Sequence, residues 1–420
     1  MLILASAMSF GQSENETVRS LTVDEAVELA KKNNVSVARS QITLDAVARA
    51  KAHSSWNSMS PSASVSASST VPIDALSDSD SNYTASFGVS ATVSVSLSAN
   101  LFTTMNAAKI AYESGKLTFD DAVKSVELGV REAFYGLLYE RENIILQERN
   151  LEIAKTQYNN NLAKYNQGRL SEIDVLSAEV NYKSKIPTVE SVRTTFLNDL
   201  ASFKQTLGLH LAEKIELAGT LDDLINLNEI SVDVKNVQSS SIKLLEYELE
   251  NAKNSVLEKR FSAFAPSLKA SFNWSDGTAP DAQKPASLGL SATIPLDGVL
   301  PWSARNDAVD SAQDTVKDLE LQLDNEKKNL TRTVMSSLRS IKQSQESIKY
   351  KQANVTLAQK TYDMTAEAYN RGTKDLLTLQ NANTSLLNAQ VSLKSETLTL
   401  IKTILNLENT IGVDFGTLGK

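Results

Sequence analysis

At 420 residues the chain has room for two or three globular domains, but only 15 Gly and 8 Pro interrupt it, so long unbroken elements are expected instead. With no Cys and two His it lacks a disulfide framework and the material of a transition-metal centre, and no metal or other cofactor is expected. A net charge of −8 offers no basic face for nucleic acid.

Residues 1–11 are apolar and small; they read as the end of a signal peptide without its basic start, or as a frayed tail. No stretch reaches the roughly 20 apolar residues of a membrane-spanning helix, so membrane insertion would have to use strands. Thr22 is placed to cap a helix, and Glu25 completes a capping box. Ala26, Val27, Leu29 and Ala30 follow at helical spacing until Asn33-Asn34. A second helix runs from Val35 to near Ser58, and Pro61 stops it. The period then changes to two. Ala63, Val65 and Ala67 alternate with serines, and an acidic loop follows (Asp74, Asp78, Asp80, Asn82). Phe87, Val89, Ala91, Val93, Val95, Leu97 and Ala99 then alternate with Gly88, Ser90, Thr92, Ser94, Ser96 and Ser98. Each run is a strand with one apolar face and one small hydroxylic face. From Thr103 a helical period holds to about Asn166, roughly 64 residues or about 95 Å at 1.5 Å per residue. Gly168 breaks it, and another helix runs from about Ser171 to Leu207, with Gly208 as its C-terminal cap.

The second half repeats the first, 204 residues further on. Val130, Leu137, Ile144, Leu151, Tyr158 and Tyr165 form a heptad seam, matched by Val334, Ile341, Ile348, Val355, Tyr362 and Tyr369. Gly168 maps to Gly372, and Gly208 to Gly412. Pro266 is the counterpart of Pro61; Leu268, Ala270, Phe272 and Trp274, then Leu288, Leu290, Ala292, Ile294 and Leu296, mark a second strand pair. The expected division is a signal-like segment 1–11, a first repeat 12–208, a connector 209–233, a second repeat 234–412 and a tail 413–420. Strands are expected near 61–72, 85–101, 266–275 and 286–297, and long helices near 103–167, 171–207, 302–370 and 373–411.

Four such strands cannot close a barrel alone, and open edges are not tolerated in lipid. Three chains would supply twelve antiparallel strands, an even number as closed membrane barrels prefer. Tyr83, Phe102, Trp274 and Trp302 lie near strand ends, where interfacial aromatics are expected. The long helices, with narrow apolar seams and polar outer faces, are expected to pack as rods that continue the barrel. His53 and His210 are isolated and no catalytic set or phosphate loop appears, so the chain is not expected to be an enzyme. A soluble or periplasmic coiled-coil scaffold without a pore accounts for the heptads and the duplication, but not for two strand pairs at equivalent places.

The doubled layout, the turns Tyr165-Asn166-Gln167-Gly168 and Tyr369-Asn370-Arg371-Gly372, the following Ile173-Asp174-Val175-Leu176-Ser177-Ala178 and the opening Leu21-Thr22-Val23-Asp24-Glu25-Ala26 resemble the TolC-like outer-membrane efflux proteins. The resemblance implies a mainly α fold with a membrane β-barrel. A homotrimer would share a 12-strand barrel in the outer membrane, continued by an α-helical periplasmic tunnel. It also implies an exit duct for efflux or for protein secretion, met by a periplasmic adaptor (membrane fusion) protein and, through it, an inner-membrane pump. Gly168, Arg169, Leu170, Gly372 and Thr373 are then the adaptor-docking turns, and Asp174, Tyr369 and Lys374 the latch that keeps the tip shut. Where many members carry an acidic ring past the second Gly, this chain has Thr378 and Asn381, with Asp174 and Asp375 as the available substitutes.

Overall fold

In the computed structural model, residues 19–70, 86–224, 230, 232, 237, 239–277 and 286–418 are described. The signal-like segment, the acidic loop with Tyr83, and Pro280 lie outside them. Two compact units are formed: one from Met1–Ala38, Ala122–Val237 and Leu330–Lys420, the other from Arg39–Asp121 and Gln238–Asn329. Each draws on both halves of the duplication.

The second unit holds helices α2 (Val35–Met59) and α5 (Ser240–Phe264), the first parts of the long helices α3 (Asn100–Asn166) and α6 (Ala304–Asn370), and a four-stranded sheet. With β1 (Arg19–Leu21) and β4 (Ile215–Leu217) in the other unit, the sheet strands are β2 (Ser62–Thr70), β3 (Ser86–Ser98), β5 (Ser267–Gly277) and β6 (Ala286–Thr293). Their order is β2-β3-β5-β6, antiparallel throughout, so β2 and β6 are its edges. The register carries the period-two pattern across all four strands. Val93 lies between Ala63 and Phe272, and Phe272 lies opposite Leu288. On the other face Ser94 lies between Ser62 and Ser271, and Ser271 lies opposite Gly289. The Ser62 and Ser94 hydroxyls are 2.9 Å apart. A one-residue slip would mix the faces, so the alternation itself fixes the pairing. Among the described residues nothing covers the apolar face: Val65 is 77% exposed and Leu290 82%.

The first unit is built on α1 (Val23–Asn33), the remainder of α3 and α6, α4 (Glu172–Leu207) and α7 (Leu376–Ile411). Thr22 caps α1 as the sequence predicts, its backbone N–H donating to Glu25 Oε2 at 2.9 Å. Leu21, Val27, Val130, Phe134, Leu138, Phe203 and Leu207 form one core. Val334, Ile341, Ile348, Leu400, Ile404 and Leu407 form the second. Both heptad seams are sealed at this end and loosen toward the turns, where Tyr165 is exposed.

Two features of this unit have no sequence signal. β1 pairs in parallel with β4, Leu21 opposite Leu217. Arg141 on α3 locks the same segment by donating to the carbonyls of Leu217 and Gly219, both at 2.5 Å. Glu408, near the end of α7, is fully buried. Its carboxylate accepts from the backbone N–H groups of Gly416 at 2.9 Å and Leu418 at 2.8 Å, which folds the tail back onto the helix.

Candidate functional site: the paired helix turns

The two turns are built by the same local chemistry. Two residues past the end of α3 lies Gly168 at φ 69°, and two past the end of α6 lies Gly372 at φ 76°, conformations in which a side chain would be strained. Gly168 N–H donates to Tyr165 O at 2.7 Å and Arg169 N–H to Lys164 O at 2.9 Å. Gly372 N–H donates to Tyr369 O and Thr373 N–H to Ala368 O, both at 2.9 Å. This paired bonding satisfies carbonyls that a helix end otherwise leaves open. Three residues after each Gly, Ser171 and Asp375 cap the next helix, accepting from Asp174 N–H and Thr378 N–H. Each connection is thus a four-residue clip between a C-terminal and an N-terminal cap.

Gly168, Arg169, Gly372, Thr373 and Lys374 are exposed and Leu170 is half-buried, so the surface expected to receive a partner is open in the single chain. The expected latch residues are placed differently from one another. Tyr369 donates its hydroxyl to Oδ1 of the fully buried Asn161 at 2.6 Å, and the Lys164 ammonium sits 5.3 Å from its ring centre. Burial pushes the Tyr369 phenol up; the Asn161 bond opposes this, and the charge of Asp174 adds to it. Asp174 therefore lies within electrostatic reach of Tyr369. Its carboxylate accepts from the Ser171 hydroxyl at 2.5 Å, as part of the cap of α4. Lys374 belongs to the other turn, beside Asp375, whose carboxyl is held low mainly by hydrogen bonding to Thr378. Within one chain Asp174 acts on Tyr369 through its charge, while their hydrogen-bond partners are Ser171 and Asn161, and among the described residues no ion pair joins Lys374 to Asp174.

Sequence reasoning missed the residues that join the hairpins here. Asn161 joins α3 to α6. Further from the turns, Asn383 on α7 donates to Oδ1 of Asn150 on α3 at 2.6 Å, both residues buried. The available signal was Asn161 itself, three residues past Tyr158 and so at an inner heptad position, where a polar residue fixes register at some loss of stability. Beside these contacts is a cleft of about 520 Å³ lined by Arg149, Gln157, Lys164, Tyr362 and Tyr369 among others. Among the described residues no group of acidic or histidine side chains could hold a metal, and no helix is long and apolar enough to cross a membrane.

A second cleft, about 430 Å³, places Glu140 on α3 against Asp199 on α4, with Lys402 on α7 nearby. Burial first, then the shared hydrogen bond and the charge of Asp199, push Glu140 up to about 7; Lys402 opposes them. A carboxyl raised in the folded state binds its proton more tightly there. The stability it contributes is complete below about 4.5, its unfolded value, and is lost as pH rises through about 7. Glu140→Gln should therefore remove a decline of about 1 kcal/mol over that window, a figure already reduced for solvent screening of a partly exposed group. Denaturant titrations of both proteins at pH 5 and 7.5, at one protein concentration, measure it; parallel pH dependence in the two would contradict the assignment.

A family model described as outer membrane efflux protein matches residues 26–209 and 237–413. The fold is similar to that of the Campylobacter jejuni CmeC outer membrane channel, with a TM-score of 0.74 at 19% identity, covering 98% of this chain and 93% of that one. It is similar to CusC, with a TM-score of 0.77 at 12% identity over 97% and 96% of the two chains. It is also similar to the open state of the Neisseria gonorrhoeae MtrE outer membrane channel, with a TM-score of 0.69 at 16% identity over 93% and 89%. No curated protein matches the chain significantly.

Proposed function

The chain belongs to the outer membrane efflux protein family, and from that premise we propose that it is the exit duct of a tripartite export system, one third of a trimeric pore that receives substrate from an inner-membrane pump through a periplasmic adaptor. The observation that carries this reading is the four-stranded sheet with one uncovered apolar face and two edge strands. Lipid suits the apolar face, and the hydroxyl face suits a wet lumen. The strands alternate in direction, so β6 of one copy meets β2 of the next antiparallel, and three copies close the ring. The loosened heptad seams near the turns support the same assembly. Tyr350, Leu357 and Met364 form an exposed stripe of heptad spacing on α6, while Ile173, Leu176 and Val180 are exposed on α4. Two different unpartnered faces on one chain are what a closed ring of identical copies requires.

Electron microscopy of the detergent-extracted protein tests the assembly. Threefold particles are expected; a stable monomer in plain buffer would end the proposal. The exposed clips around Gly168 and Gly372 are the proposed adaptor contacts, and Asp174, Tyr369 and Lys374 the proposed latch. Lys374 would reach its carboxylate from a neighbouring hairpin, and an exposed pair of that kind stabilises by only about 0.2–1 kcal/mol, weak enough for an adaptor to open. Asp174→Ala should raise single-channel conductance in planar bilayers; conductance equal to that of the wild type would count against the latch.

A further inference from the structure

The residues of β2, β3, β5 and β6 include two charges, Lys269 and Asp276. Asp276 lies opposite Val89, on the apolar face at the loop end of β5. Lys269 lies opposite Ser96 and Ser291, on the hydroxyl face, two residues into β5. Its side chain is exposed, and among the described residues no carboxylate forms a recorded ion pair with it. Serine at this place would complete the pattern of that face without loss of packing. A lysine for lipid headgroups would stand on the apolar face, where Lys269 does not.

We infer that Lys269 sets the ionic preference of the barrel segment, as a ring of three positive charges that favours anionic solutes. The inference rests on the trimeric reading above. Threefold symmetry puts the three ammonium groups at one height in the lumen, close to the junction where α5 ends at Phe264 and α3 begins at Asn100. Hydroxyls hydrate ions of either sign, so among the described strand residues of this wall the lysine ring is what distinguishes them. Its field reaches about 10 Å at 0.1 M salt and about 3 Å at 1 M.

Reversal potentials across planar bilayers under a KCl gradient test the assignment in the purified trimer. At 0.1 M, Lys269→Ser should raise the potassium-to-chloride permeability ratio roughly twofold and Lys269→Glu roughly fivefold, both differences shrinking at 1 M. Lys269→Arg keeps the charge and should match the wild type. Equal ratios in all four proteins, with normal conductance, would overturn the role of Lys269 and leave the duct standing. A wild-type protein that forms trimers but carries no current would overturn the duct and this inference with it.

Discussion

Val93→Arg should remove the protein from the outer-membrane fraction and abolish its trimer, whereas Ser94→Arg, the adjacent residue, should leave both intact. Val93 lies mid-strand in β3, flanked on the apolar face by Ala63 and Phe272. An arginine facing lipid at the bilayer mid-plane costs about 2–4 kcal/mol, and a threefold assembly incurs it three times. Ser94 faces the opposite way, between Ser62 and Ser271, where a charge stays in water. Membrane fractionation and unheated gel electrophoresis of the two variants side by side measure the contrast. If both assemble, or both fail, the assignment of the two faces is wrong.

Glu408→Ala should destabilise the folded chain by about 3–5 kcal/mol, the loss of two hydrogen bonds to a charged acceptor with two backbone donors left unpartnered. Glu408 is fully buried, and its two oxygens hold the N–H groups of Gly416 and Leu418. Leu418 and Val413 pack against the cluster around Val334 and Ile341, so release of the tail also opens apolar surface. Glu408→Gln keeps one acceptor oxygen and should lose about half as much. The duplicated position, Lys204, provides an internal comparison. It donates to the carbonyl of Leu211 at 3.1 Å from a half-buried position, and Lys204→Ala should change stability by less than about 1 kcal/mol. Thermal melts and limited proteolysis of the tail measure all three. A Glu408→Ala protein that melts like the wild type and keeps its tail protected would refute the anchoring role.

What the sequence made legible was whatever carries a period or a capping residue. The alternation from Phe87 to Leu97 specified β3, because a sheet with one apolar face writes its geometry into every second residue. Gly168, Gly208, Gly372 and Gly412 marked helix ends, and all four take positive φ there. The first turn of α3 was less visible. It begins at Asn100 because the hydroxyls of Thr103 and Thr104 both bond back to the Asn100 carbonyl at 2.9 Å, a contact with no apolar signature. The start of α7 moved the other way, to Leu376, because residues 373 to 375 belong to the clip and its cap. β1 and β4 are three residues each, too short for any period to register. At the turns, the resemblance drew attention to Asp174, Tyr369 and Lys374, while the partner that Tyr369 finds within the chain is Asn161. An asparagine among the many of α3 is singled out only when its heptad position is weighed against its polarity.

The edge strands β2 and β6 carry a consequence for the newly made chain. If the pore is the trimer proposed above, the chain must carry bare backbone donors and acceptors, and a greasy panel beside them, through an aqueous compartment before it meets two others of its kind. The closed ring then depends by mass action on the cube of the free-chain concentration, so it forms less readily as copies become scarce. Until it is complete, any passing strand with matching alternation can dock on the open rims. A holding factor that shields those rims in transit would therefore matter most at low expression, when the wait for companions is longest.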